Sequence, residues 1–160
     1  MKATLTLLIA TIITLTSFAV EPIKVYKGTS TYNSDIICNV KDNKIYKKNS
    51  TYNSDVICNI RNNKIYKNNS QYNSDVIYTI TDGKVYIGNS TYNSDILMTI
   101  RDGKIYKGTS TYNSDIIATI RDGKVYAGTS TYRSDITFTF NGNLTVVEFV
   151  AVWYAVQYGW

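Results

Sequence analysis

The octet that begins at Ser30, STYNSDII, returns with small changes at Ser50, Ser70, Ser90, Ser110 and Ser130. The period is 20 residues, with no insertion or deletion between the six copies. A strict period constrains the fold more than any other feature of this chain. Every unit must form the same local structure and bury the same face against its neighbours. The units run 22–41, 42–61, 62–81, 82–101, 102–121 and 122–141.

Each unit carries two strand signals rich in β-branched and aromatic residues. In the fifth unit these are Lys104-Ile105-Tyr106 and the stretch Asp115 to Ile120. Two turn signals separate them. Asp-Gly at 82–83, 102–103 and 122–123 sits between apolar strand residues, the strongest short hairpin signature. Asn43 and Asn63 replace the glycine in two units, and Asn also tolerates positive φ. The second turn lies in Tyr-Asn-Ser-Asp, whose side chains bond local backbone. Glycines 28, 88, 108 and 128 predict a bulge in the first strand, with Lys48 and Asn68 in that slot in units two and three.

Two hairpin turns per unit give an antiparallel meander of twelve strands. Positions 36, 56, 76, 96, 116 and 136 are always Ile or Val, and 40, 60, 80, 100, 120 and 140 are Val, Ile or Phe. Strict alternation places both sets on one face. The slot between them holds Cys38, Cys58, Tyr78, Met98, Ala118 and Phe138. Its large variation in size predicts packing against something asymmetric.

The tail supplies that object. Thr145-x-x-Glu148 reads as a capping box, and from Val146 to Tyr158 there is no Pro or Gly. The segment is apolar on all sides except Glu148 and Gln157, which predicts a buried helix over about 145–158, with a strand as the competing reading. Twelve strands at ~4.8 Å spacing give a ring of radius ~9 Å, rising to about 11 Å with strand tilt. A helix of radius ~5–6 Å plus inward side chains of roughly 5 Å fills it. The fold class is therefore mainly β, a closed twelve-stranded antiparallel barrel of six hairpin repeats around the C-terminal helix. Closure also removes the aggregation-prone sheet edges. A parallel β-solenoid with 20-residue coils is the alternative, in which the tail would be a cap.

Repeats of the type Asp-Gly-Lys-Ile/Val-Tyr followed by Ile-Ile-x-Thr-Ile, with a hydrophobic terminal helix, resemble the β-flower proteins over residues 22–160. These are hairpin barrels around a central helix, similar in architecture to the tubby and scramblase barrels. The Ser-Thr-Tyr-Asn-Ser-Asp turn is longer than the compact turns of that family. The resemblance implies association with lipid or a membrane surface. It transfers no binding residue, because no matching phosphate-contact motif is present.

The chain begins MKATLTLLIATIITLTSFAVEP. Lys2, the apolar run Leu5–Leu15, and small residues Ser17 and Ala19 before a cleavage point read as a secretory signal peptide over residues 1–19. The alternative is an uncleaved membrane anchor. The remainder, 20–160, is a single repeat domain, expected to be secreted, periplasmic or at the cell surface. Net charge is +5, without a basic run, which argues against nucleic acid as a partner. Equivalent slots of neighbouring hairpins lie roughly 9–10 Å apart, beyond the about 7 Å reach of a disulfide, so Cys38 and Cys58 are expected as free buried thiols.

The chain has no histidine, no zinc spacing and no phosphate-cradling glycine loop. No catalytic residue, metal ligand or cofactor is therefore assigned, and no enzymatic activity is expected. Asp35, Asp55, Asp75, Asp95, Asp115 and Asp135 form a carboxylate ring whose ordinary use is to hold the adjacent turn. Six equivalent carboxylates also offer no acid–base asymmetry. The candidate surface-binding rim is Tyr32, Tyr52, Tyr72, Tyr92, Tyr112 and Tyr132 with Lys24, Lys44, Lys64, Lys84, Lys104 and Lys124. The competing use of those tyrosines is packing across their own hairpins; that of the lysines is solubility. The expected function is a non-enzymatic surface binder for membrane or glycan. A structural or adhesin-like module is the second reading, and a solenoid with a wall- or ice-binding role the third.

Overall fold

The computed structural model of the protein describes residues 21–158. The expected signal segment over residues 1–19 lies outside the described residues. Within them the strands are β1 (Ile23–Lys27), β2 (Ile36–Lys41), β3 (Lys44–Lys47), β4 (Val56–Arg61), β5 (Lys64–Lys67) and β6 (Val76–Thr81). They continue as β7 (Lys84–Ile87), β8 (Ile96–Arg101), β9 (Lys104–Lys107), β10 (Ile116–Arg121), β11 (Lys124–Ala127) and β12 (Ile136–Phe140). All pair antiparallel with their sequence neighbours, and β1 pairs with β12 to close the barrel. The solenoid reading is thereby excluded. One α-helix, α1 (Val146–Tyr158), runs through the barrel.

The two-residue turns between hairpin strands follow directly from local chemistry. Asp42 and Asn43 have φ of 51° and 59°, and Asp82 and Gly83 have 52° and 73°. Positive φ at both central residues is the I′ geometry that matches the right-handed strand twist. At the seam no turn joins the strands, yet the register is that of a hairpin. Val25 faces Phe140 and Lys27 faces Phe138, as Ile45 faces Val40 and Lys47 faces Cys38. Asn141 stands in for the absent turn: its N–H donates to the Lys24 carbonyl at 3.1 Å, and its Oδ1 accepts from the Lys24 N–H at 2.6 Å.

Two expectations about the strands are corrected. The bulge is in the second strand of each unit, not the first. Val25 pairs with Cys38 and Tyr26 with Ile36, leaving Ile37 as the extra residue, and the other units repeat this shift. Glycines 28, 88, 108 and 128 come just after the first strand, with φ of 53–61°. There the N–H of Gly88 donates to the carbonyl of the bulged Ile77 at 2.8 Å. The bulge also turns the chain over, so residues 36 and 40 do not share a face. Val40 and Cys38 belong to the core and Ile37 packs against it, whereas Ile36 is buried on the outer wall beside Tyr26.

The helix begins at the end of the barrel that carries the I′ turns. Thr145 caps it: Glu148 N–H donates to Thr145 Oγ1 at 3.2 Å and Glu148 Oε2 accepts from Thr145 N–H at 2.9 Å, the expected capping box. The helix packs chiefly on β2–β5. On that side the slot residues are small: Cys58 Sγ lies 3.8 Å from the Ala151 carbonyl oxygen. On the far side the gap is filled by rings, with Phe138 6.4 Å from Phe149 and 6.3 Å from Trp153 between centroids. Tyr78 meets Tyr154 edge-on at 5.9 Å. The sizes of Cys38, Cys58, Tyr78 and Phe138 thus follow the off-centre helix, whereas the smallest slot residue, Ala118, lies on β10 on the far side and does not. Cys38 and Cys58 are buried and unbonded to each other.

Candidate functional site

The second connection of each unit leaves the barrel end opposite the I′ turns and folds back over the outer wall. In the first unit a short 3-10 turn, Asn33–Asp35, closes on the hydrogen bond from Asp35 N–H to the Tyr32 carbonyl, 3.0 Å. Ser30 knits the loop together. Its hydroxyl donates to Asp35 Oδ2 at 2.6 Å and accepts from Tyr32 N–H at 3.2 Å. The same Ser–Asp pair recurs in all six units. The carboxylate ring is therefore engaged in holding loops, through serine hydroxyls. In the last unit Ser130 and Ser134 hydroxyls hold the Asp135 carboxyl below its ordinary pKa. Among the described residues no His, Cys, Asp and Glu cluster suits a metal ion.

A second device, side-chain bonds from the second strand of each preceding unit, pins the loops to the wall. Asn39 Nδ2 donates to the carbonyls of Lys48 and Ser50 at 2.9 and 2.7 Å, and Asn59 does the same with Asn68 and Ser70. In the next three units a threonine makes one such bond, from Thr79, Thr99 and Thr119 to Gly88, Gly108 and Gly128 at 2.8 Å each. Neighbouring loops also touch: Asn69 Nδ2 donates to the Asn53 carbonyl at 3.0 Å. The loops form a collar around one end of the barrel.

The collar separates the tyrosines into two rings with opposite fates. Tyr46, Tyr66, Tyr86, Tyr106 and Tyr126 face outward from the strands but are covered by the loops, with 5–8% of their surface exposed. The second ring is Tyr32, Tyr52, Tyr72, Tyr92, Tyr112 and Tyr132, each 74–75% exposed. Packing across their own hairpins is thus not the use of these six. The lysines of the candidate rim extend along the wall toward the collar. Lys24 Nζ lies 3.5 Å from Asn33 Oδ1 and Lys44 Nζ 3.1 Å from Asn53 Oδ1. Each of these asparagines directly follows an exposed tyrosine, so in the first two units cation and ring share one stretch of loop. Lys64, Lys84 and Lys104 are half-buried and Lys124 is exposed.

The sequence reading missed another set of cations. Lys47, Lys67 and Lys107 follow buried wall tyrosines and Lys27 follows the half-buried Tyr26; all four take the inward register, with Lys27, Lys47, Lys67 and Lys107 opposite Phe138, Cys38, Cys58 and Met98. They are exposed because they stand at the barrel mouth, at the end where α1 terminates. Positive charge there complements the helix C-terminal dipole. Counting inward from Val25 by twos would have found them. Leu97, Ile117 and Tyr158 are exposed at the same end.

Comparison with known proteins adds one finding. No curated protein and no solved structure matches the chain. The family described as "6-fold beta flower protein" matches residues 25–153, a span that takes in most of β1, all of β2 to β12 and the first part of the helix. The chain therefore belongs to the 6-fold beta flower family.

Proposed function

We propose that this structural repeat barrel is a non-catalytic module that binds a repetitive glycan surface through its exposed tyrosines. We further propose that it acts outside the cytoplasm, as the segment over residues 1–19 suggests. The observation that carries the binding reading is the contrast between the two tyrosine rings. Five wall tyrosines are buried and hold the fold, whereas six collar tyrosines keep about three quarters of their surface in water. An aromatic ring with a polar tip suits a sugar, whose faces are apolar and whose edges carry hydroxyls. The neighbours on each loop, Thr31, Asn33 and Ser34 in the first unit, supply hydrogen-bonding groups and no contiguous apolar patch. Six weak equivalent contacts give avidity on a repeating surface without a strong single site.

A membrane surface is the second reading. It is favoured by the mouth lysines beside exposed Leu97, Ile117 and Tyr158. Co-sedimentation of the folded protein with cellulose, chitin and peptidoglycan, and with phosphatidylcholine/phosphatidylglycerol vesicles, separates the two. The expected result is binding to at least one polysaccharide, falling in steps as the six tyrosines are changed to Ser one after another. No polysaccharide binding by the wild type would sink the glycan reading, as would complete loss on a single change. Vesicle binding insensitive to the tyrosines would transfer the function to the mouth.

A further inference from the structure

The seam between β12 and β1 is not equivalent to the other five junctions. In the second unit Arg61 reaches across the wall. Its guanidinium lies 5.0 Å from the Tyr66 ring centroid, and Nη2 donates to the Gln71 carbonyl at 3.1 Å. The corresponding residues at the seam are Asn141, Tyr26 and Thr31. Asn141 is too short to make that reach and is occupied by Lys24. A cleft of about 450 Å³ opens at the seam, with Tyr26, Lys124, Arg133 and Asn141 in its lining. Exposure reports the same opening independently. Tyr26 is half-buried whereas its five counterparts are buried, and Ile136 is half-buried whereas its five counterparts are buried.

A second departure from the repeat falls on the same cleft. Position 133 is Arg where units one to five have Asn. That Asn is the partner of the unit's own lysine in units one and two. In the sixth unit the substitution removes the amide and adds a cation, so Lys124 and Arg133 both line the cleft. Among the described residues neither has a carboxylate within salt-bridge distance; Asp122, which also lines the cleft, is paired with Arg121 at 3.4 Å. Hydroxyls of Thr29, Thr31 and Thr131 complete the wall.

We propose that the seam cleft is a binding site for an acidic saccharide, with the sugar face on Tyr26 and the carboxylate held by Lys124 and Arg133. The volume lies within the range of small-molecule sites. A planar carboxylate matches the guanidinium fork and the ring face matches the half-exposed tyrosine. The hydroxyls at 29, 31 and 131 match the sugar edge. The site uses none of the six collar tyrosines, so it stands or falls apart from the avidity reading.

The test is titration calorimetry of the folded protein with digalacturonate, maltose and inorganic phosphate. Digalacturonate is expected to bind at least about tenfold more tightly than either control, since only it supplies ring and carboxylate together. Arg133→Asn installs the residue that five units already carry, so folding should survive, and affinity should fall about tenfold or more. Arg101→Gln, remote from the seam and exposed in a pair with Asp102, should leave this affinity unchanged. Retention of binding in a folded Arg133→Asn protein would overturn the proposal, as would equal affinity for phosphate or for maltose, or no binding of digalacturonate by the wild type.

Discussion

Lys48 has a left-handed backbone, φ 51°, in the slot where four other units place glycine. That conformation costs a non-glycine residue about 1 kcal/mol or more. The compensation is visible across the strand. The two units without glycine in this slot, with Lys48 and Asn68, are the two whose clasp is an asparagine making two bonds, whereas Thr79, Thr99 and Thr119 make one. Asn39 is fully buried and its Oδ1 has no partner, which is the cost of this arrangement. Lys48→Gly should therefore raise stability by about 0.5–1 kcal/mol, and Asn39→Thr should cost more in the wild-type background than in the Lys48→Gly background. A thermal-melting double-mutant cycle showing no coupling would contradict the compensation. The two cysteines give a prediction in the alkaline range. Burial pushes the Cys38 thiol up to about 12, and Cys58, buried and beside Cys38, is pushed up further. A thiol whose folded pKa is raised contributes stability that is complete below its ordinary value of 9.0 and is lost as pH rises through about 12. Native protein at pH 8.5 should resist iodoacetamide about a hundredfold better than protein in denaturant.

The helix is the element on which the others depend. Phe149, Val150, Ala151, Val152 and Ala155 are buried against strands that have no other inner partner. Each large side chain buried in this way contributes roughly 1.5–3 kcal/mol, against a total domain stability of about 5–15 kcal/mol. Truncation after Asn143 should abolish cooperative folding; a soluble truncated chain with a sharp melt would contradict the central role of α1. Within the barrel, Ala118→Trp should lose about 1–3 kcal/mol by overfilling the slot. Its neighbour Thr119 faces outward but clasps Gly128, so Thr119→Val should still cost about 1 kcal/mol. Chemical denaturation of the two variants checks the order.

At the scale of the whole molecule, closure couples repeats that an open array would leave nearly independent. Deleting residues 82–101 removes two of the twelve strands and shrinks the ring radius by about a sixth, to ~8 Å before tilt. The helix and its inward side chains then no longer fit. The deletion is expected to eliminate the cooperative melt, although what remains is five intact repeats. A folded five-repeat protein losing only a proportionate share of stability would show that the helix does not set the strand number.

The strand count, the I′ turns, the capped helix and the closed barrel were all legible in the amino-acid order. Each rests on local chemistry or on a period that no distant contact can change. Asp82-Gly83 needs positive φ wherever it lies, and six near-identical hairpins plus one all-apolar tail leave few ways to bury both. Which residues face where, beyond the first break in the ladder, was settled by the folded chain. Residues 36, 37, 38 and 40 are all apolar, so their pattern reads equally well with or without the bulge at Ile37, and a shift of one residue reverses the face of Ile36. Likewise, Tyr46 and Tyr52 are one residue type in two turn-flanking positions. Burial separates them because the loop folds back over the wall, and that fold-back depends on bonds from Asn39 and Thr79 to backbone 9–11 residues away. The seam lay beyond the pattern for the same reason. Asn141 and Arg133 read as ordinary drift within a repeat until closure brings the first strand beside the last.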